Sequence, residues 1–525
     1  MDIQNFSALF NTPARREAFL KLIKDNKTKH IFIQGLEGSS IALFFSNLLE
    51  HKQAHILIAN DLDEAGYLYN DLVQINGNDH ILLFPSGYKR DIKYGQPDPP
   101  SEILRTEVLN RLCQKGESLL IVTYPEAIAE KVVPVNMLSE QTLHIDKNSK
   151  CDIITLSDKL RERGFEEVDY VYEPGQFAVR GSILDVFSYT NELPYRIDFF
   201  GKEVESIRTF EVETQLSTGK LEEVYIVANV CGQEASGISI LDFIDKNTIL
   251  ICHNLSWVID RISTIASESL SEQTLIAEEG DRYAMQKIID VTAFQKKITT
   301  FRRIDYGASS EANAPAVIRF NCAPQGVYHK NFDLVSQSFS QFIEKGYTLY
   351  ILSDSEKQIE RLQAIFEERG DSISFTPVLK TLHEGFVDND LKIGCFTDHQ
   401  IFDRFHKYTL KSEHARSGKL ALSLKELNQI EVGDYIVHVD HGIGRFGGLI
   451  HTEINGKMQE VIKLTYQNDD IIFVSIHALH KLAKYRAKEG EAPRINKLGS
   501  GAWERMKEKT KGKMKEIARD LIKLY

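Results

Sequence analysis

At 525 residues the chain is too long for one compact core, and its length sets a prior of roughly three to five domains. With 42% hydrophobic and 26% charged residues, and only 13 Pro and 32 Gly, the composition excludes a disordered, collagen-like or low-complexity chain. A net charge of −12 excludes a general basic coat for nucleic acid, so any such contact must be local or made by other parts.

The amino terminus, MDIQNFSALFNTPARREAFLKLIK, is an amphipathic helical pattern broken at Pro13. It lacks the apolar run of a signal peptide, and no later stretch is long enough to cross a bilayer as a helix. The six cysteines, at 113, 151, 231, 252, 322 and 395, form no Cys-x-x-Cys or close pair. They read as scattered thiols of a reducing compartment, not as a disulfide framework or a zinc site. A cytoplasmic protein without a membrane partner is expected.

The first domain, expected over 1–132, alternates apolar runs with helical segments. HIFIQG (30–35), AHILIAN (54–60), HILLFPS (80–86) and SLLIVTY (118–124) read as strands, with helices over IALFFSNLLEHK and 62–75. Continuous apolar strands separated by helices predict a parallel sheet covered on both faces. YKRDIKYGQPDPP is polar and proline-rich and reads as a surface loop. From 133 to 214 the rhythm changes to an inserted α+β domain. Alternation in FAVRGSILDVF and YRIDFF predicts half-buried antiparallel strands, with turns at Glu173-Pro174-Gly175 and Phe200-Gly201.

Residues 215–325 return to α/β character, NTILICH (247–253) being the clearest buried strand, and read as the second part of the first domain. A further α/β domain of unassigned role is expected over 326–412, from YTLYILS, the helix SEKQIERLQAIFEERG and LKIGCFTD, followed by a linker over 413–429. Over 430–488, DYIVHV, RFGGLIHTEI, QEVIKLTY and DIIFV predict strands of a small SH3-like β-barrel, with Asn455-Gly456 as a strong hairpin signal. Such a barrel has little room for a catalytic cleft and is read as a binding module. Residues 489–525 read as a basic linker ending in a helix. From 481 onward ten Lys and four Arg stand against five Glu and one Asp. The last residues carry no helix stop, so continuation into another domain is expected.

Candidate chemistry is sparse. GLEGSS (35–40) follows a strand and precedes a helix, the place of a phosphate loop. Gly35 and Gly38 supply the bend and Ser39 or Ser40 could serve a metal, but the lysine that faces the β/γ-phosphates is missing and Glu37 adds negative charge. The turn reads as a degenerate phosphate loop without nucleotide. His438, Asp440 and His441 in HVDHGIG could begin a metal site, but the two imidazoles are expected on opposite faces of a strand, as solvated or hydrogen-bonded groups. Cys252-His253 and Asp398-His399 read as structural pairs. No catalytic residue and no metal site are assigned.

Two segments carry a family likeness. YEPGQFAVRGSILDVFSYTNELPYRIDFFGKEVESIRTFE (172–211) resembles the segment shared by the B subunit of the bacterial excision-repair nuclease and the transcription-repair coupling factor. VGDYIVHVDHGIGRFGGL (432–449) and IKLTYQNDDIIFVSIHAL (462–479) resemble the coupling factor's RNA-polymerase-interacting domain, which the B subunit lacks. KLGSGAWERMKEKTKGKMKEIARDLIKLY (497–525) is similar to the helix leading from that domain into the motor.

The resemblance implies a protein that binds stalled RNA polymerase and recruits the excinuclease A subunit to damaged DNA. It places Phe177, Arg180 and Phe187 at the excinuclease-A interface, where Glu166-Glu167 departs from the family's basic position. It also places Leu449, Ile450, His451, Thr452, Glu453 and Ile454 on the strand that pairs with the polymerase β subunit. The mode implied is strand addition, and proline at Ile450 or Thr452 would block it where those N–H groups face the partner. The resemblance assigns ATP, Mg and most double-stranded DNA contact to motor domains beyond these residues, leaving no cofactor and no enzymatic activity here. The alternatives are a polymerase-binding regulator without a repair role, and a nucleotide-hydrolysing enzyme using GLEGSS.

Overall fold

The computed structural model describes residues 1–25, 27–87, 99–114, 116–147, 149–191, 193–212, 215–228, 237–273, 288–307, 316–404, 430, 432–454, 457–475, 482–485, 495–498, 501, 503 and 505–507. The loop read over 88–98, the linker over 413–429, the Asn455-Gly456 turn and most of the terminal helix lie outside the described residues. The fold is mixed α/β with a parallel sheet and several other sheets. The chain divides into two compact units: Met1–His144, Tyr189–Asn191 and Tyr225–Leu410 form one, and Ile145–Ser188, Glu192–Val224 and Lys411–Tyr525 the other.

In the first unit a seven-stranded sheet runs in the order Ala316–Arg319, His30–Gln34, Arg302–Gly307, Ile249–Cys252, Ala54–Ile58, Leu119–Thr123 and Ile81–Leu83, with every neighbouring pair parallel. Leu119–Thr123 is buried at all five positions, as a central strand covered on both faces must be. Two strands have no clear signal in sequence. Arg302–Gly307 carries charges at Arg302, Arg303 and Asp305, and Ala316–Arg319 is only four residues long.

Pro13 ends nothing on its own. Helix Ile3–Phe10 closes at Asn11, and Pro13 occupies the first turn of a second helix, Pro13–Lys24, whose Thr12 accepts the Arg15 N–H. The helix expected over 41–52 is α only from Ser40 to Phe45 and then tightens to 3-10 over Ser46–Glu50. Ser46 Oγ donates to the Leu43 carbonyl and Asn47 Nδ2 to that of Phe44, so short polar side chains compete with the α ladder.

A five-stranded mixed sheet completes this unit: Cys322–Pro324, Phe386–Asp388, Ile393–Thr397, Thr348–Leu352 and Thr376–Val378, the first three antiparallel and the rest parallel. The first helix joins the two sheets in one apolar core. Phe6 packs on Tyr350 with ring centroids 5.1 Å apart, and Phe10 meets Phe320 at 6.2 Å and Phe386 at 5.4 Å. Arg15 seals the rim, donating to both carboxylate oxygens of buried Asp388 at 2.6 and 3.3 Å.

The second unit holds a six-stranded sheet ordered Ser217–Leu221, Glu203–Phe210, Tyr195–Phe200, Ile183–Val186, Gln176–Arg180 and Glu166–Glu167. It is antiparallel except at the last pair. The unit also holds a five-stranded antiparallel sheet ordered Ile471–Ser475, Lys457–Thr465, Gly442–Ile454, Tyr435–His438 and Leu482–Lys484. Ile436, Phe446, Ile462, Leu464, Tyr466 and Val474 form the core of this second sheet.

Candidate partner-binding surfaces

Strand Gly442–Ile454 is 13 residues long, but its two sides are covered unequally. Lys457–Thr465 pairs with it from Arg445 to Ile454, whereas Tyr435–His438 pairs only with Gly442–Arg445. Phe446 is the last residue bonded on that second side: its N–H donates to the Asp434 carbonyl, and its own carbonyl accepts from Gly433. A bulge then shifts the register between Phe446 and Leu449, with Gly448 at φ 94° and a Cβ at Gly447 only 3.0 Å from Lys463 Cγ.

Beyond the bulge the register fixes which main-chain groups face outward. Ile454 pairs with Lys457 across only two residues, a spacing that requires the doubly hydrogen-bonded type of pair. Thr452–Gln459 and Ile450–Val461 are then of the same type, so the N–H groups of Ile450 and Thr452 point into the sheet. Those of Leu449, His451 and Glu453 point the other way, where among the described residues no strand pairs with them. This corrects the positions at which proline would test strand addition. Leu449 and Ile450 lie on opposite faces, with Leu449 the more exposed. Sequence alternation identifies the strand, but only the pairing gives the parity.

On the six-stranded sheet the three residues named from the family likeness separate. Phe177 is fully buried, and Phe187 packs with Val171, Ala178 and Phe210. Only Arg180 offers surface, with its side chain 33% exposed. Its guanidinium lies over the Tyr170 ring at 4.9 Å and pairs with Asp185. Asp185 is buried and also receives Arg196 bidentately, Nε at 2.7 Å and Nη2 at 2.8 Å. The next strand repeats the device, with Arg208 on Asp198 and Ser206 Oγ donating to Asp198 at 2.9 Å. Glu166 and Glu167 are exposed, and Arg161 pairs with Glu167 at 2.7 Å, placing a cation beside the acidic step. Phe200, which the sequence marks only as a turn residue, is 79% exposed. Its signal is present: with Tyr195, Ile197 and Phe199 buried by alternation, the last residue before the Gly201 turn is a second consecutive Phe and has to face out.

The Gly35–Ser40 turn is closely filled. Gly35 (φ 81°) and Gly38 (φ 53°) take the left-handed conformations of a strand-to-helix bend. A Cβ at Gly35 would lie 2.2 Å from the Phe320 carbonyl oxygen, and one at Gly38 2.9 Å from that of Gly385. Ser39 Oγ donates to Asp71 Oδ2 at 2.5 Å, and Ser40 Oγ to the Glu37 carbonyl at 2.7 Å. Burial raises the Asp71 carboxyl to about 7, against the pull of its Ser39 and His383 hydrogen bonds. Burial, and then Glu37, also raise Glu384 beside it.

His438 is buried, and its Nδ1 accepts the Asp440 N–H at 3.0 Å. The rings of His438 and His441 lie 4.6 Å apart, because the turn, not a continued strand, carries His441. Among the described residues no group of three His, Cys, Asp or Glu is arranged to hold a metal. Cys252 is buried with Sγ 3.2 Å from Asp305, and burial raises its thiol well above the ordinary value. Asp398 is held by Ser353 at 2.9 Å and Arg404 at 2.6 Å. Among the described residues no helix is long and apolar enough to cross a membrane.

The UvrB interaction domain matches residues 143–230, and the CarD-like/TRCF RID domain matches residues 430–486. A transcription-repair-coupling factor of Staphylococcus aureus (strain MRSA252) is 25% identical over 568 residues, covering 94% of this chain and 48% of its own. One of Bacillus subtilis (strain 168) is 24% identical over 578 residues, covering 95% and 48%. The resemblance drawn from 172–211 and 432–479 therefore holds along nearly the whole chain, which spans about half the length of the curated relatives it matches.

Proposed function

We propose that this chain, similar along nearly its whole length to transcription-repair-coupling factors, is the part of such a factor that grips stalled RNA polymerase and recruits the excinuclease A subunit. The observation that carries the reading is the pairing, in one chain, of a UvrB interaction domain with a CarD-like/TRCF RID domain in which, among the described residues, no strand pairs with the outer edge of Leu449–Glu453. In this reading the five-stranded sheet is a small SH3-like barrel, and a strand of the polymerase β subunit adds along Leu449–Glu453. The outward main-chain groups give affinity and alternate side chains give specificity. Arg180 is the contact residue of the inserted domain. Phe177 and Phe187 support the sheet that carries it.

The reading assigns ATP, Mg and most double-stranded DNA contact to motor domains outside these 525 residues, and places the protein in the cytoplasm. A joint pull-down tests it. The chain should retain polymerase β and the excinuclease A subunit, each lost separately, to His451→Pro and Arg180→Ala. Retention of polymerase alone would leave a transcription regulator without a repair role. Retention of neither would sink both readings.

A further inference from the structure

A phosphate loop binds its ligand with main-chain N–H groups and a hydroxyl. In this chain the N–H groups of Gly35, Glu37, Ser39 and Ser40 and the hydroxyls of Ser39 and Ser40 are already engaged. The Ser39 N–H donates to the Glu384 carbonyl at 3.2 Å, and Ser39 Oγ accepts the Glu384 N–H at 2.9 Å. The two residues thus form a closed two-bond ring, with the Ser39 hydroxyl as the second acceptor. Asp71, on helix Leu62–Asn76, extends the clamp by accepting from Ser39 Oγ through Oδ2 and from the His383 N–H at 2.8 Å through Oδ1. The Tyr67 ring, one turn earlier on that helix, stacks on the His383 ring with centroids 3.4 Å apart and planes 11° apart. Gly385 supplies the close approach. Its carbonyl faces Gly38, and any Cβ on it would lie 2.0 Å from Gln325 Oε1 and 2.6 Å from the Cys395 carbonyl.

We infer that the degenerate phosphate loop has become a peptide clamp whose ligand is the chain's own His383–Gly385 segment, docking the five-stranded domain onto the seven-stranded one. The lost lysine and the occupied loop then have one explanation. The groups that would meet an anion meet a peptide, and the carboxylates of Glu37 and Glu384 exclude a second anion. The clamp turns the domain of unassigned role into a fixed extension of the first. This inference does not depend on the partner-binding reading.

Hydrogen exchange on the full chain tests it, with Ser39→Ala and Asp71→Ala as the perturbing pair and Asp71→Asn as the conservative one. In each alanine variant the amides of His383 and Glu384 should exchange at least about tenfold faster, while those of Ile393–Thr397 keep their protection. Asp71→Asn retains an acceptor for His383 and should stay close to the parent. Unchanged exchange at His383–Gly385 in both alanine variants, or equal loss of protection across both sheets, would overturn the clamp. Millimolar Mg-ATP added to the parent should leave exchange at Gly38–Ser40 and His383–Gly385 unaltered. Protection or release of either segment would show a nucleotide site instead.

Discussion

Proline scanning along Leu449–Ile454 separates strand addition from side-chain docking, because the two parities of the strand give opposite results. The N–H groups of His451 and Glu453 face outward, so proline there removes a bond to a partner without touching the Lys457–Thr465 ladder. Each such bond contributes about 1 kcal/mol net, and the stiffened φ adds a misfit, so each substitution should weaken binding of a polymerase β fragment by about 5- to 30-fold. Ile450→Pro and Thr452→Pro instead remove bonds to Val461 and Gln459 and leave those acceptors unpaired, at about 1–3 kcal/mol of stability each. Titration calorimetry for affinity and thermal melting for stability give the two readouts. The expected pattern is weakened binding with near-normal melting for the first pair, and lowered melting for the second. Normal binding by folded His451→Pro and Glu453→Pro variants would refute strand addition at this edge.

Four other outcomes are expected. Arg180→Ala should lower affinity for the excinuclease A subunit with little change in melting, because Arg196 still neutralises Asp185; Asp185→Ala leaves a mostly buried Arg196 without its partner and should cost about 3 kcal/mol in urea unfolding. Asp71 is held at about 7 when folded against an ordinary 3.8, so the folded state favours its protonated form; its contribution to stability is fully present below about 3.8, is lost as pH rises toward 7 and is level above. Melting of Asp71→Asn against the parent between pH 4 and pH 8 should show that slope flattened, and identical slopes would contradict it. Phosphate-release assays should detect no magnesium-dependent ATP turnover, with or without DNA, since the Gly35–Ser40 turn lacks the lysine of a working loop.

Much of the fold is legible in the sequence. Five of the seven parallel strands announce themselves as continuous apolar runs, and the inserted sheet by alternation in YRIDFF. Arg302–Gly307 did not, because it is buried only at Ile304 and Tyr306 and owes its place to neighbours far away in sequence. The same distance hides the clamp. GLEGSS reads as a strand-to-helix turn without its lysine, but nothing local says that Glu384, 345 residues on, fills it. At the strand Gly442–Ile454 the alternation is legible in sequence, but which N–H groups face outward follows only from the pairing of Ile454 with Lys457. Arg180 shows the converse limit. The family likeness assigns it to an interface, while its pairing with Asp185 decides how much of its charge a partner could use.

The Gly447-Gly448 bulge divides one strand into two mechanical halves. Up to Phe446 it is gripped from both sides; from Leu449 it has one neighbour and one vacant flank among the described residues. Three outward residues, Leu449, His451 and Glu453, span about 14 Å at roughly 3.4 Å per residue. A ladder of that length pulled along its strands shares the load among all its bonds at once, whereas one pulled sideways opens pair by pair. A tether built on this edge can therefore be weak at equilibrium, quick to release when peeled, and still resist traction along its own axis.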